Sequence, residues 1–195
     1  MAVTLRDARR GDELAVAEVH VRSWQDAYRE LMPAEFLAAL DPRDRARRYE
    51  FGGGPEAPTT VVAVAAGVGD GDDPSLTNCG EVRSGSSPSP VEPVVGFVTF
   101  GPSRDEDAVG MGEIYALYVD PGRYEGGLGR RLMAHARRRL KEQGFEAAVL
   151  WVLIGNERAA SFYEREGWKP DGAVREEEPY GIVSHVRRFH LEELD

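Results

Sequence analysis

The chain has 195 residues, 42% of them hydrophobic and 30% charged, and a net charge of −10; that is ample for one domain with its own core and crowded for two. The acidic balance argues against a general nucleic-acid binder, and no apolar run approaches the roughly 18 to 20 residues of a membrane span. MAVTLRDARR turns charged at once, without the apolar stretch of a signal peptide, so a cytoplasmic protein is expected.

Residues 2 to 6 read as a short strand. Asp12 then precedes Leu14, Ala17, Val21, Trp24 and Tyr28, whose three-and-four spacing predicts a helix with these five on one face. Pro33 opens a second short helix through Phe36, Leu37 and Leu40, and Asp41-Pro42 punctuates its end. The following arginines, Arg43, Arg45, Arg47 and Arg48, read as a solvated helix face, with an RNA contact as the rival reading. FGGGPEAP is a break. Thr59 to Ala66 and Val94 to Phe100 are β-branched and apolar on both faces, which predicts neighbouring strands. Between them, Gly67 to Pro93 is rich in Gly, Asp, Ser and Pro, and is expected to be a flexible surface insertion (67–93) within a single domain spanning 1–195, with a lid over the substrate as the rival reading.

Glu113 to Val119 predicts the next strand, ended by Asp120-Pro121-Gly122. A helix follows from about Gly127 to Gln143, burying Leu128, Leu132, Met133, Ala136 and Leu140, with Gly144 as its C-terminal stop. Ala147 to Leu153 is a continuous apolar strand. Asn156 is placed to cap a short helix that Gly167 ends, an extra strand is expected near Trp168, and His185 to Leu191 makes the last one. Strands and helices in this order predict a mixed sheet covered by helices. The sole cysteine, Cys79, excludes an intramolecular disulfide, and His20, His135, His185 and His190 show no metal spacing, so no metal is expected.

Strand, glycine turn and helix N-terminus in succession make an anion site, because unpaired backbone N–H groups and the positive helix end converge there. Gly126, Gly127 and Gly129 would let a phosphate approach the backbone closely. Gly122 and Gly127 have P-loop spacing, but Leu128-Gly129 stands where Lys and Ser or Thr belong. A dinucleotide turn fails too, since Leu132 occupies the third small-residue position.

The run EIYALYVDP (113–121), followed by Gly127-Leu128-Gly129 and Leu132, resembles the acetyl-CoA motif of the GCN5-related N-acetyltransferase superfamily. NERAASFYEREGW (156–168) resembles that superfamily's downstream motif, N-x-x-A-x-x-F-Y-x-x-x-G-F. The resemblance implies an α/β (α+β) fold: a mixed, mostly antiparallel sheet of six or seven strands flanked by about four helices. It implies transfer of an acetyl group from acetyl-CoA to a primary amine by direct attack. The acceptor would be a small molecule or peptide, with a homodimer left open and neither nucleic acid nor membrane as a partner. A non-catalytic acyl-CoA-binding module of the same fold is the alternative.

Carried over residue by residue, the resemblance gives Leu117, Tyr118 and Val119 backbone contacts to the pantetheine arm and thioester, and Asn156 a contact to the arm or only a capping role. Glu113 would be the base, directly or through water, or else a solvent-exposed glutamate at a strand end. A base matters most for a lysine-type amine, which costs roughly 4.6 kcal/mol to deprotonate at pH 7 against about 1 for an α-amine. Tyr163 would protonate the departing thiolate, or simply pack beside Phe162. Trp24 and Tyr28 would border the acceptor, or belong to the core. The family turn reads Gln/Arg-x-x-Gly-x-Gly/Ala, whereas this chain has Tyr124-Glu125 before its glycines. Weaker CoA binding is therefore expected, with Arg123 or Arg130 as candidates to compensate.

Overall fold

A computed structural model of the chain describes residues 2–53, 57–66, 93–178 and 181–194. The expected insertion at 67–93 lies outside the described residues except for Pro93, and Cys79 lies outside them as well.

The seven strands are β1 (Val3–Asp7), β2 (Thr59–Ala65), β3 (Val94–Pro102), β4 (Gly112–Val119), β5 (Ala148–Leu153), β6 (Lys169–Glu177) and β7 (Ser184–Leu191). They form one sheet in the order β1-β2-β3-β4-β5-β7-β6, antiparallel throughout except for the β4–β5 pair. Helices cover both faces. Val16 and Val19 of α1 (Glu13–Ala27) pack on Val62, Val64 and Phe97 on one side. On the other, Leu128, Leu132, Met133, Ala136 and Leu140 of α4 (Leu128–Glu142), with Ala160 of α5 (Glu157–Arg165), pack on Val61, Val98, Phe100 and Leu150. Two short helices, α2 (Ala34–Ala38) and α3 (Pro42–Ala46), follow α1. No helix among the described residues is long and apolar enough to cross a membrane.

Three expectations change. Asp41-Pro42 does not merely end a helix: Asp41 accepts from the backbone N–H of Arg43 at 2.7 Å and starts α3, with Pro42 in its first turn. In α1 the buried face carries Val16, Val19, His20 and Ser23 beside Ala17 and Val21, and Leu14 is 44% exposed. The apolar spacing had put Leu14 inward, but helix α1 turns its small and polar residues toward β4, where Ser23 donates to the carbonyl of Val119 at 3.0 Å. His20, unremarkable in the sequence, is buried among Trp24, Phe97 and Tyr118 and bonded to Tyr49 at 2.6 Å; burial, then Arg45, holds its pKa well below the ordinary value.

Candidate active site

The site begins with an irregularity in β4. Ala116 pairs with Thr99 but Ile114 pairs with Phe100, so Tyr115 is an extra residue in β4. Such a bulge bends the strand. It also reverses which side chains face which core: Ile114 packs with α4, Ala116 and Tyr118 with α1, and Leu117 again with α4. Past this point β4 and β5 part. Their parallel pairing covers only Gly112–Ile114 against Ala148–Leu150, although β4 runs on to Val119 and β5 to Leu153.

A cleft of about 590 Å³ fills the gap, walled by Ala116 to Val119 on one strand and by Trp151 to Leu153 on the other. On the β5 side the β4 edge lacks a strand partner beyond Ile114, so its backbone donors and acceptors line the opening.

At one end is the glycine turn. Asp120, held by the Arg22 guanidinium at 2.6 and 3.0 Å, starts a 3₁₀ turn over Pro121–Gly126. Gly127 then takes the left-handed conformation (φ 67°) as α4 begins, and no side chain caps that helix. The first N–H groups of α4 are thus open toward the cleft, whose wall includes Gly127 and Gly129. A Cβ on Gly129 would meet the Phe162 ring of α5 at 3.6 Å, an ordinary contact distance, so α5 packs beside the start of α4 here. Leu128 points into the core, and neither Arg123 nor Gly126 is on the wall. Arg130 is, but its Nε donates to Glu166 at 2.9 Å.

Toward the other end the wall is aromatic. Tyr163 of α5 lies against Phe162, Trp168 and Phe189, and burial, then Tyr118, raises its pKa, so its phenol keeps its proton. Tyr28 also borders the cleft and holds its proton for the same first reason, burial. Trp24 does not reach the wall. Its indole Nε1–H donates to the Tyr118 hydroxyl at 2.9 Å, and the Tyr28 oxygen lies 3.5 Å from that hydroxyl. An indole N–H can only donate, so Tyr118 accepts from Trp24 and turns its own hydrogen elsewhere. Sequence reasoning gave Tyr118 a backbone contact alone; its side chain is a fixed hydroxyl in the wall. Asn156 caps α5, its side-chain oxygen accepting from Ala159 N–H at 3.1 Å, and still lines the cleft.

Glu113 departs most from expectation. It is 1% exposed and off the cleft wall, its carboxylate gripped by Arg104 through the guanidinium at 2.5 Å and the backbone N–H at 2.9 Å. It is neither a carboxylate open to the cleft nor a solvent-exposed one. It joins the loop after β3 to β4 at the base of the bulge, where Tyr115 also donates to the Pro102 carbonyl. Tyr115, Trp151 and Arg158 are among the wall residues that the sequence does not single out. Tyr115 and Trp151 look like ordinary strand aromatics, and Arg158 falls at an unspecified position of the N-x-x-A motif, where it reads as a charge on the solvated side of the helix.

The chain matches the model of the acetyltransferase (GNAT) family over residues 21–168. It is 30% identical over 154 residues to the uncharacterized N-acetyltransferase YuaI of Bacillus subtilis (strain 168), spanning 79% of this chain and 73% of that one. The mycothiol acetyltransferase of Streptomyces avermitilis is 46% identical over 59 residues, 30% of this chain and 19% of the relative. Among solved structures, a GCN5-related N-acetyltransferase from Kribbella flavida superposes with a TM-score of 0.65 at 18% identity, covering 98% of both chains. The paia N-acetyltransferase of Thermoplasma acidophilum, in complex with coenzyme A, gives 0.61 at 17% identity over 96% of this chain and 98% of that one. Parted central strands, an open glycine turn and these likenesses agree: the chain belongs to the acetyltransferase (GNAT) family and is an acetyltransferase.

Proposed function

We propose that the protein transfers an acetyl group from acetyl-CoA to the primary amine of a small molecule or peptide by direct attack. The parting of β4 and β5 after Ile114 and Leu150 carries this reading, because it joins an anion-binding turn to a strand edge without a strand partner and then to a protonated tyrosine in one cleft. The N–H groups after Gly127, with Gly129 beside them, suit the pyrophosphate, with Gly126 and Leu128 shaping the turn. The edge of β4 over Leu117 to Val119 suits the pantetheine arm and the thioester carbonyl, and the amide nitrogen of Asn156 remains to donate to that arm.

The amine nitrogen bonds to the carbonyl carbon as its lone pair attacks, and the carbon–sulfur bond then breaks. Backbone donors of β4 stabilise the charge that develops on oxygen. Tyr163 gives its hydroxyl proton to the departing sulfur and regains one from solvent. Glu125 and Glu166 are the carboxylates on the wall among the described residues, and both lie at the glycine-turn end. Glu113 acts as a strut, and the amine loses its proton to water. The rate is then expected to climb with pH until the acceptor amine is neutral. Tyr28 and Tyr118 border the acceptor, and Trp24 holds Tyr118 from behind.

Release of CoA thiol with a panel of amines tests the reading. Tyr163→Phe is expected to lower turnover by about tenfold or more while leaving acetyl-CoA affinity unchanged. Equal turnover in the variant would remove Tyr163 from the chemistry.

A further inference from the structure

Tyr124 and Glu125 stand where the family turn begins with Gln or Arg, Arg123 before them is off the cleft wall, and Glu125 sets a negative charge on the wall that would face a diphosphate. The guanidinium of Arg130, on the first turn of α4, is already paired with Glu166. The structure supplies another. The Arg158 guanidinium lies over the Tyr124 ring, 3.9 Å from its centroid, and Arg158 lines the same cleft as Gly127 and Gly129.

Tyr124 is itself fixed, because its hydroxyl donates to Asp26 Oδ2 at 3.0 Å. Arg158 reaches that oxygen too, but through one long contact of 3.4 Å, while Arg29 takes Oδ1 at 3.2 Å. Asp26 thus divides its charge among three partners. Arg158 also hydrogen-bonds the Tyr124 side chain, which with Asp26 still leaves some of its five donors for an arriving anion, and its side chain is 54% exposed. A guanidinium resting on an aromatic face keeps its planar fork of N–H groups directed outward, the geometry that binds two phosphate oxygens at once.

We propose that Arg158, carried on α5 and seated on Tyr124, binds the pyrophosphate of CoA opposite the N–H groups of α4. The inference rests on the acetyl-CoA reading above. Tyr124 then is a platform for a cation delivered from across the cleft, and the turn's departure from the family pattern need not weaken CoA binding.

Calorimetric titration of CoA and of dephospho-CoA, which keeps the pyrophosphate but lacks the 3′-phosphate, tests this on the full chain with Arg158→Met and Arg130→Met. For Arg158→Met both ligands are expected to bind about tenfold more weakly or worse, with a shallower salt dependence, as loss of a charged hydrogen-bond donor requires. Arg130→Met is expected to shift them less. Unchanged affinity in Arg158→Met overturns the inference, as does a loss confined to CoA, which would assign Arg158 to the 3′-phosphate. Wild-type protein that binds neither ligand overturns the acetyl-CoA reading, and the inference with it.

Discussion

The hydroxyl of Tyr118 shows how a single side chain is fixed without being buried. Trp24 holds its oxygen from behind, and the orientation of its hydrogen follows because the indole has no lone pair to offer. Trp24→Phe keeps an aromatic ring at the position and removes the donor. It is expected to lower kcat/KM for the amine by about fivefold, the worth of one neutral hydrogen bond, with acetyl-CoA affinity unchanged. Steady-state kinetics in both substrates would check this, and an equal loss in both would make Trp24 merely structural. Gly127 offers a second test at this scale. Its φ of 67° strains any L side chain, so Gly127→Ala is expected to cost about 1 kcal/mol in urea unfolding, although nothing lies within 4 Å of the added Cβ. Residue types in a motif pointed to Tyr163, Asn156 and the glycines. Burial of Glu113 by Arg104 was not legible, because the pair spans nine positions and depends on where β3 ends.

Helix α4 is the element most plainly written in the sequence. All five residues of its apolar stripe are buried, since a long amphipathic helix against a sheet leaves its periodicity little competition. Leu132→Ala is expected to cost about 2–5 kcal/mol, by lost burial and by the cavity left behind. Leu14→Ala in α1, half exposed, is expected to change stability by less than about 0.5 kcal/mol. Chemical denaturation of both variants would check the corrected face of α1. That helix was harder to read because Ser23 and His20 face inward, each satisfied by a partner distant in sequence. The bulge at Tyr115 was also hidden: an extra residue changes register without changing composition, and it separates the strands that form the cleft.

In the molecule as a whole, tyrosines on the cleft wall and a histidine packed behind it couple folding to pH from both sides. Tyr28 and Tyr163 are half-buried in the cleft wall with raised pKa values, so above about pH 10 the unfolded chain sheds protons that the fold retains, and stability falls as pH rises. His20 has the opposite sense. Burial lowers its pKa, the unfolded chain binds a proton below about pH 6.5 that the fold refuses, and stability falls as pH drops. Urea midpoints across pH would check both limbs, and His20→Gln is expected to flatten the acid one. At this scale the element order was readable and implied a mixed sheet. The strand order with one parallel pair at its centre was not, since pairing partners are set by packing across the sheet. The most direct measurement is thiol release from acetyl-CoA by the wild-type protein with a panel of primary amines, with the mass of each amine followed in parallel. Amine-dependent release matched by a gain of one acetyl group is expected. CoA binding with no amine-dependent release and no acetylated product would contradict it.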